Sequence, residues 1–150
     1  LPVAAFRAMF MNKPAKLGTV LPLHQDRWRA LDRDPRLTIY TALDAADEEN
    51  GCVEIIARSQ HKILNPQHPS GFLTPEMEKM FIADPRRTPL ILAAGEVVLM
   101  NPWTLHGSGV NRTDRSRGAF SVCLMDAATM SQRYKRLASR SIIFGEGAPS

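Results

Sequence analysis

The sequence predicts a mainly β fold, a sandwich or barrel of short strands with few helices. Seven or eight short runs of β-forming residues follow one another, with turn signals between them. Glycine and proline supply 9 and 11 of the 150 residues, which suits a turn-rich β protein better than a helical bundle. The length allows one domain, residues 1–150, with a sizeable core.

The elements read in order as follows. Residues 4–11 fit a strand or the end of a helix. Lys13-Pro14 ends that element, because proline pushes its predecessor out of helical geometry. Val20 to Asp26 reads as a strand, and Leu37 to Leu43, rich in β-formers, as a buried one. Asp47-Glu48-Glu49-Asn50-Gly51 is a turn, with a strand from Cys52 to Ala57 after it. Residues 63–89 carry five prolines and one helical turn around Pro75–Ile82, and they read as a lid-like insertion. Strands follow at Leu90–Ala94, Glu96–Met100, Trp103–Gly107 and Gly118–Met125. The tail from Ala127 is expected to hold a short helix.

Composition excludes several classes. At 44% hydrophobic and 23% charged residues the chain is globular rather than disordered. No apolar run reaches the roughly 18–20 residues of a membrane span. Cys52 and Cys123 make neither a disulfide framework nor a zinc site, and they read as reduced thiols of a cytoplasmic protein. The net charge is +4, but Arg27, Arg29, Arg33 and Arg36 alternate with Asp26, Asp32 and Asp34. The densest basic stretch, Arg133 to Arg140, holds Tyr134 as its sole aromatic, so no nucleic-acid footprint is present. The partner expected is a small molecule. The sequence does not fix an oligomeric state.

Three residues could share one metal ion. In a strand, His24 and Asp26 face the same side and Gln25 the other. His106, beside the small residues Gly107, Ser108 and Gly109, is the best third ligand. Two histidines and one carboxylate leave open positions for non-haem Fe(II) and oxygen chemistry; a zinc hydrolase uses the same ligand types. Arg117 lies across a turn from His106. Were the two on neighbouring antiparallel strands, its guanidinium would enter the same cavity and grip a carboxylate with two hydrogen bonds. Arg27, Trp28, Trp103 and the insertion are mouth candidates, with Gln25 a further substrate contact. Both tryptophans suit the core equally well.

Several segments resemble the phytanoyl-CoA dioxygenase family of Fe(II)- and 2-oxoglutarate-dependent oxygenases. They are Met9-Phe10-Met11-Asn12-Lys13-Pro14, Pro22-Leu23-His24-Gln25-Asp26, Tyr40-Thr41-Ala42-Leu43, Glu49-Asn50-Gly51-Cys52, Gly95-Glu96-Val97-Val98, and His106-Gly107-Ser108-Gly109-Val110-Asn111 through Arg117. They keep the family's order. The resemblance implies a double-stranded β-helix, a cupin-like jelly-roll barrel with a few flanking helices. It implies that His24, Asp26 and His106 are the catalytic iron ligands. Arg117, with Ser108, would hold the distal carboxylate of 2-oxoglutarate, and Tyr40 and Met9 would line the co-substrate pocket. The family more often has tryptophan where Tyr40 stands. Lys13 matches a family lysine but reads as a turn residue. The implied reaction uses O2 to hydroxylate a lipid-like or secondary-metabolite substrate, releasing succinate and CO2. Asp26 argues against the halogenase branch, where a smaller residue leaves room for chloride.

One departure concerns Ala57-Arg58-Ser59-Gln60-His61-Lys62, where the family usually reads Pro-Gly-Ser-His-Lys. His61 is therefore read as structural or as part of the cavity rim. His68, in the insertion, is read as solvent-facing. The family also carries a helical portion before the first matching strand, and the chain opens without a methionine at Leu1, so an N-terminal segment is expected upstream. A non-catalytic jelly-roll binding module and a zinc-dependent hydrolase are the alternatives.

Overall fold

The computed structural model describes residues 2–138 and 142–144. Two antiparallel sheets build the barrel, their strands numbered in chain order. The first sheet runs β11 (Ile142–Phe144), β1 (Val3–Lys13), β8 (Arg117–Asp126), β3 (Leu37–Ala42), β6 (Val97–Met100). The second runs β2 (Leu21–His24), β7 (His106–Ser108), β4 (Val53–Ile56), β5 (Arg87–Pro89). From β1 to β8 the chain changes sheet at every step except between β4 and β5. That alternation is the double-stranded β-helix, and the fold is the jelly roll expected from the resemblance.

Side-chain alternation defines the two faces of the first sheet. Thr38, Tyr40 and Ala42 of β3 are buried, and the residues between them are half-buried. Register places Met9, Ser121, Tyr40 and Val98 in one row, and Lys13 opposite Arg117. The neighbouring row, Phe10, Phe120, Thr41 and Val97, points the other way. On that outward face Phe10 and Leu99 are 67% and 65% exposed.

The second sheet has a covered back. Leu23, Ile56 and Leu105 pack with Leu73 and Phe81 from residues 63–89, and Leu64 and Met77 join them. Leu23 and Leu105 each precede an inward-facing histidine, His24 or His106, by one residue, so the cluster lies behind the barrel interior. The helix α1 (Pro75–Lys79) starts with the Thr74 side chain accepting Met77 N–H and with proline in the first turn. Its Glu78 carboxylate accepts Leu23 N–H at 2.5 Å, which ties the helix to β2. Residues 63–89 are thus the back layer of the second sheet as well as an excursion from it.

Three boundaries differ from expectation. The strand read at Leu90–Ala94 lies earlier, at β5, inside the bounds given to the insertion. Leu90 N–H still donates to Val53 O; the chain then crosses to Ala46, where Leu92 makes an isolated bridge. The tail after Ala127 forms a hairpin of β9 (Met130–Ser131) and β10 (Arg136–Leu137) instead of a helix. Lys135 sits there at φ 52°, a left-handed conformation that a helix does not accommodate. Finally, His106 and Arg117 are not on neighbouring strands: β7 pairs with β2 and β4, and β8 with β1 and β3. No helix among the described residues is long and apolar enough to cross a membrane.

Candidate metal centre

β2 and β7 pair so that His24 and His106 stand directly opposite each other. Their rings lie 4.2 Å apart, tilted by 47°. Each imidazole is held by the backbone two residues before it. His24 Nδ1 lies 2.9 Å from Pro22 O and His106 Nδ1 lies 2.8 Å from Thr104 O. A carbonyl oxygen only accepts, so Nδ1 carries a proton in each ring and Nε2 is the atom left to face a metal. Burial, then the neighbouring His106, lowers the His24 pKa to about 4, which keeps it neutral at physiological pH.

Asp26 completes the group by a different route from the one expected. β2 ends at His24, so strand alternation does not aim Asp26. Its backbone N–H instead donates to Pro102 O at 2.8 Å, anchoring the loop after β2 to the loop before β7. Its carboxylate oxygens then lie 3.7 Å from His24 Nε2 and 3.9 Å from His106 Nε2. One donor atom from each of the three residues falls within 4.8 Å of the others. Two imidazoles and a carboxylate converging this way fit a divalent ion of the non-haem iron or zinc kind.

Gln25 is corrected. It is fully buried, not a substrate contact. Its Nε2 donates to Lys62 O and Trp103 O at 2.9 and 2.7 Å, and its Oε1 accepts Leu64 N–H at 2.7 Å. Its own N–H donates to Gly71 O. Gly71 has φ +71°, and a Cβ there would fall 2.0 Å from Gln25 O, so the close approach requires glycine. Next to it Phe72 stacks on His24, 4.5 Å between ring centroids. Phe72 carries no sequence signal of this contact, because the two residues lie far apart along the chain. His68 is half-buried rather than solvent-facing; its Nδ1 accepts the N–H groups of Ser70 and Phe72.

The first sheet contributes two buried cations. Arg117 Nη1 donates to Tyr40 Oη at 2.9 Å and Nη2 to Gly51 O at 2.8 Å, while the buried Nε has no partner. Lys13, read from sequence as a turn residue, is buried, and its ammonium donates to Thr19 O and Gly109 O. Burial, then Arg117, lowers its pKa to about 8. Lys13 falls on the inward positions of β1 with Met9 and Met11, an alternation the sequence already contained. Among the described residues neither cation meets a carboxylate. Ser108 is buried two residues beyond His106 on β7, and Met9 is half-buried. Arg27, Trp28, His61 and Trp103 line one cavity.

A jelly-roll barrel with two histidines and one carboxylate drawn together on one sheet, and a buried arginine on the other, defines a class of metal-binding β-helix proteins. The chain belongs to the phytanoyl-CoA dioxygenase (PhyH) family, whose model matches residues 2–119. It is 31% identical to the peroxisomal phytanoyl-CoA dioxygenase of Mus musculus over 130 residues, covering 79% of this chain and 38% of that protein. It is 32% identical to 2-aminoethylphosphonate dioxygenase of an uncultured bacterium, HF130_AEPn_1, over 108 residues, 70% of this chain and 39% of the relative. The chain therefore spans about two fifths of the length of these relatives. In fold it resembles SnoK, a non-heme alpha-ketoglutarate-dependent carbocyclase (TM-score 0.75, 22% identity, 97% of this chain and 61% of that one). It also resembles EctD of S. alaskensis, solved with 2-oxoglutarate and 5-hydroxyectoine (TM-score 0.72, 18% identity, 99% and 50%).

Proposed function

We propose that this chain is the core of an Fe(II)- and 2-oxoglutarate-dependent dioxygenase that hydroxylates a small-molecule substrate. When bound, the iron with 2-oxoglutarate and O2 supplies oxidative decarboxylation coupled to hydroxylation, with succinate and CO2 released. His24 and His106 would hold the metal through Nε2 and Asp26 through a carboxylate oxygen. The Pro22 and Thr104 carbonyls fix both rings, and the Phe72 ring backs His24.

The observation that carries the reading is the pair of buried cations. A guanidinium buried with an unpartnered Nε, beside a buried ammonium, is costly unless an anion joins it. A dicarboxylate co-substrate supplies that anion. Arg117 would take its distal carboxylate with Tyr40 and Ser108, Lys13 adds a second positive charge nearby, and Met9 contributes an apolar wall. A zinc hydrolase or a passive binding module leaves both cations without a use. The family relatives, named for a CoA thioester and for a small phosphonate, support a small-molecule substrate. Two free, buried cysteines support a reducing, cytoplasmic setting.

The test is succinate release by the purified protein with Fe(II), 2-oxoglutarate and O2 across a panel of lipid-like acids, terpenoids and small metabolites. Substrate-stimulated release is expected. A panel that stimulates none counts against hydroxylation of such compounds.

A further inference from the structure

An open cavity of about 740 Å³, large enough for a whole small molecule, is built mainly from residues that directly follow the ligand Asp26 in the chain. It is tied to the ligands through the chain itself. Arg27 follows Asp26 directly, and Trp103 follows Pro102, whose carbonyl holds the Asp26 N–H. Arg27, Arg29, Arg33 and Arg36 all contribute to its wall.

The acids on this wall are already engaged. Asp34 accepts Trp28 N–H at 2.8 Å through one oxygen and Trp103 Nε1–H at 3.0 Å through the other. Asp32 accepts Met130 N–H and lies 3.5 Å from Arg33, which also pairs with Asp126 at 3.0 Å. Among the described residues Arg27, Arg29 and Arg36 have no carboxylate partner. Arg27 is half-buried and held in place by donating to Pro66 O at 3.0 Å. Acids and arginines thus share the cavity wall, but Asp32 and Asp34 are engaged by backbone, indole and Arg33, while Arg27, Arg29 and Arg36 have no carboxylate partner among the described residues. Trp28 and Trp103 add apolar wall, Trp28 braced edge-on by Phe6 and Trp103 by Asp34.

We propose that this cavity is the substrate's docking site and that it selects a small molecule carrying an oxyanion on an apolar body. This rests on the dioxygenase reading for the word substrate, but the anion site stands on the cavity alone. Clustered guanidinium groups repel one another until an anion bridges them, and their fork geometry matches carboxylate and phosphonate alike.

The chain has two tryptophans, and both line this cavity, so intrinsic emission reports on it. The experiment titrates the metal-free protein with benzoate, with phenylphosphonate and with neutral benzyl alcohol, following tryptophan fluorescence. At least one anion is expected to give a saturable change, at least tenfold weaker in the Arg27→Gln/Arg36→Gln double variant. Arg112→Gln, a loop arginine outside the cavity, should match wild type, and thermal melting checks that each variant is folded. Preference for benzoate or phenylphosphonate identifies which oxyanion the site is built for. The proposal is overturned if neither anion gives a saturable change, if benzyl alcohol binds as well, or if the double variant binds unchanged. Failure of the iron reading would be seen elsewhere, in metal and 2-oxoglutarate binding, and would leave this titration intact.

Discussion

The two sheets of the barrel are built alike and finished differently. The second carries both histidines on its inner face and is backed by Leu73, Phe81 and α1 from the chain's own insertion. The first carries Arg117, Lys13 and Tyr40 on its inner face, while its outer face leaves Phe10, Val97 and Leu99 exposed. The difference teaches where rigidity is placed. Two three- to four-residue strands must hold three donor atoms together, and such short strands are fixed by what packs behind them and by clasps such as Gln25. The first sheet has long strands, β1 and β8, paired over eleven and ten residues, and it presents charge rather than a coordination geometry.

If the back layer is what holds the metal strands, damaging it should cost most. Leu105 is fully buried in that layer, so Leu105→Ala should destabilise by about 3 kcal/mol in chemical denaturation. A loss under about 1 kcal/mol would mean that the back layer is not structural support. On the inner side, Arg117→Gln should separate the two sheets' roles. It removes charge-assisted hydrogen bonding worth about 2 kcal/mol, so 2-oxoglutarate should bind about 30-fold more weakly while metal affinity stays near wild type. Calorimetry with each ligand in turn checks this, and parallel losses of both would break the division.

Lys13 offers a pH test of the first sheet. Its pKa is about 8 in the folded protein against an ordinary 10.5. Between those values the unfolded chain retains a proton that the folded chain has released, so this group's contribution to stability rises with pH from about 8 to about 10.5. Arg117 and Cys52 are the charged and titratable neighbours that act on it. Lys13→Met should remove that rise relative to wild type in denaturation curves taken across the window. The smallest effect belongs to the open face: Leu99→Thr, at a 65% exposed position, should change stability by less than about 0.5 kcal/mol.

The comparison also explains what the sequence made legible. β3 and β8 announce themselves, because runs of β-formers leave few other choices, whereas β1, which reads equally as a strand or the end of a helix, is decided by its pairing with β8. His24 and His106 could be picked out as partners from residue type and neighbouring small residues, and register then places them opposite each other. Asp26 is legible only as a close neighbour of His24: β2 ends before it, and a loop hydrogen bond to Pro102, invisible in sequence, aims it. Gln25, Phe72 and Lys13 were misread or passed over for the same cause. Their roles depend on contacts with Trp103, His24 and Gly109, all distant along the chain. The insertion's covering role likewise depends on Leu73 and Phe81 finding Leu23 and Ile56, which no local pattern announces.

We propose that His24, Asp26 and His106 at the second sheet form the iron site and that Arg117 of the first sheet holds a co-substrate's carboxylate. Adding Fe(II) and 2-oxoglutarate without oxygen and recording the visible spectrum tests both halves at once. Wild type should develop the charge-transfer band of a chelated keto acid, and folded His24→Ala should not. A wild-type protein without the band, or a His24→Ala variant that keeps it, would contradict the account.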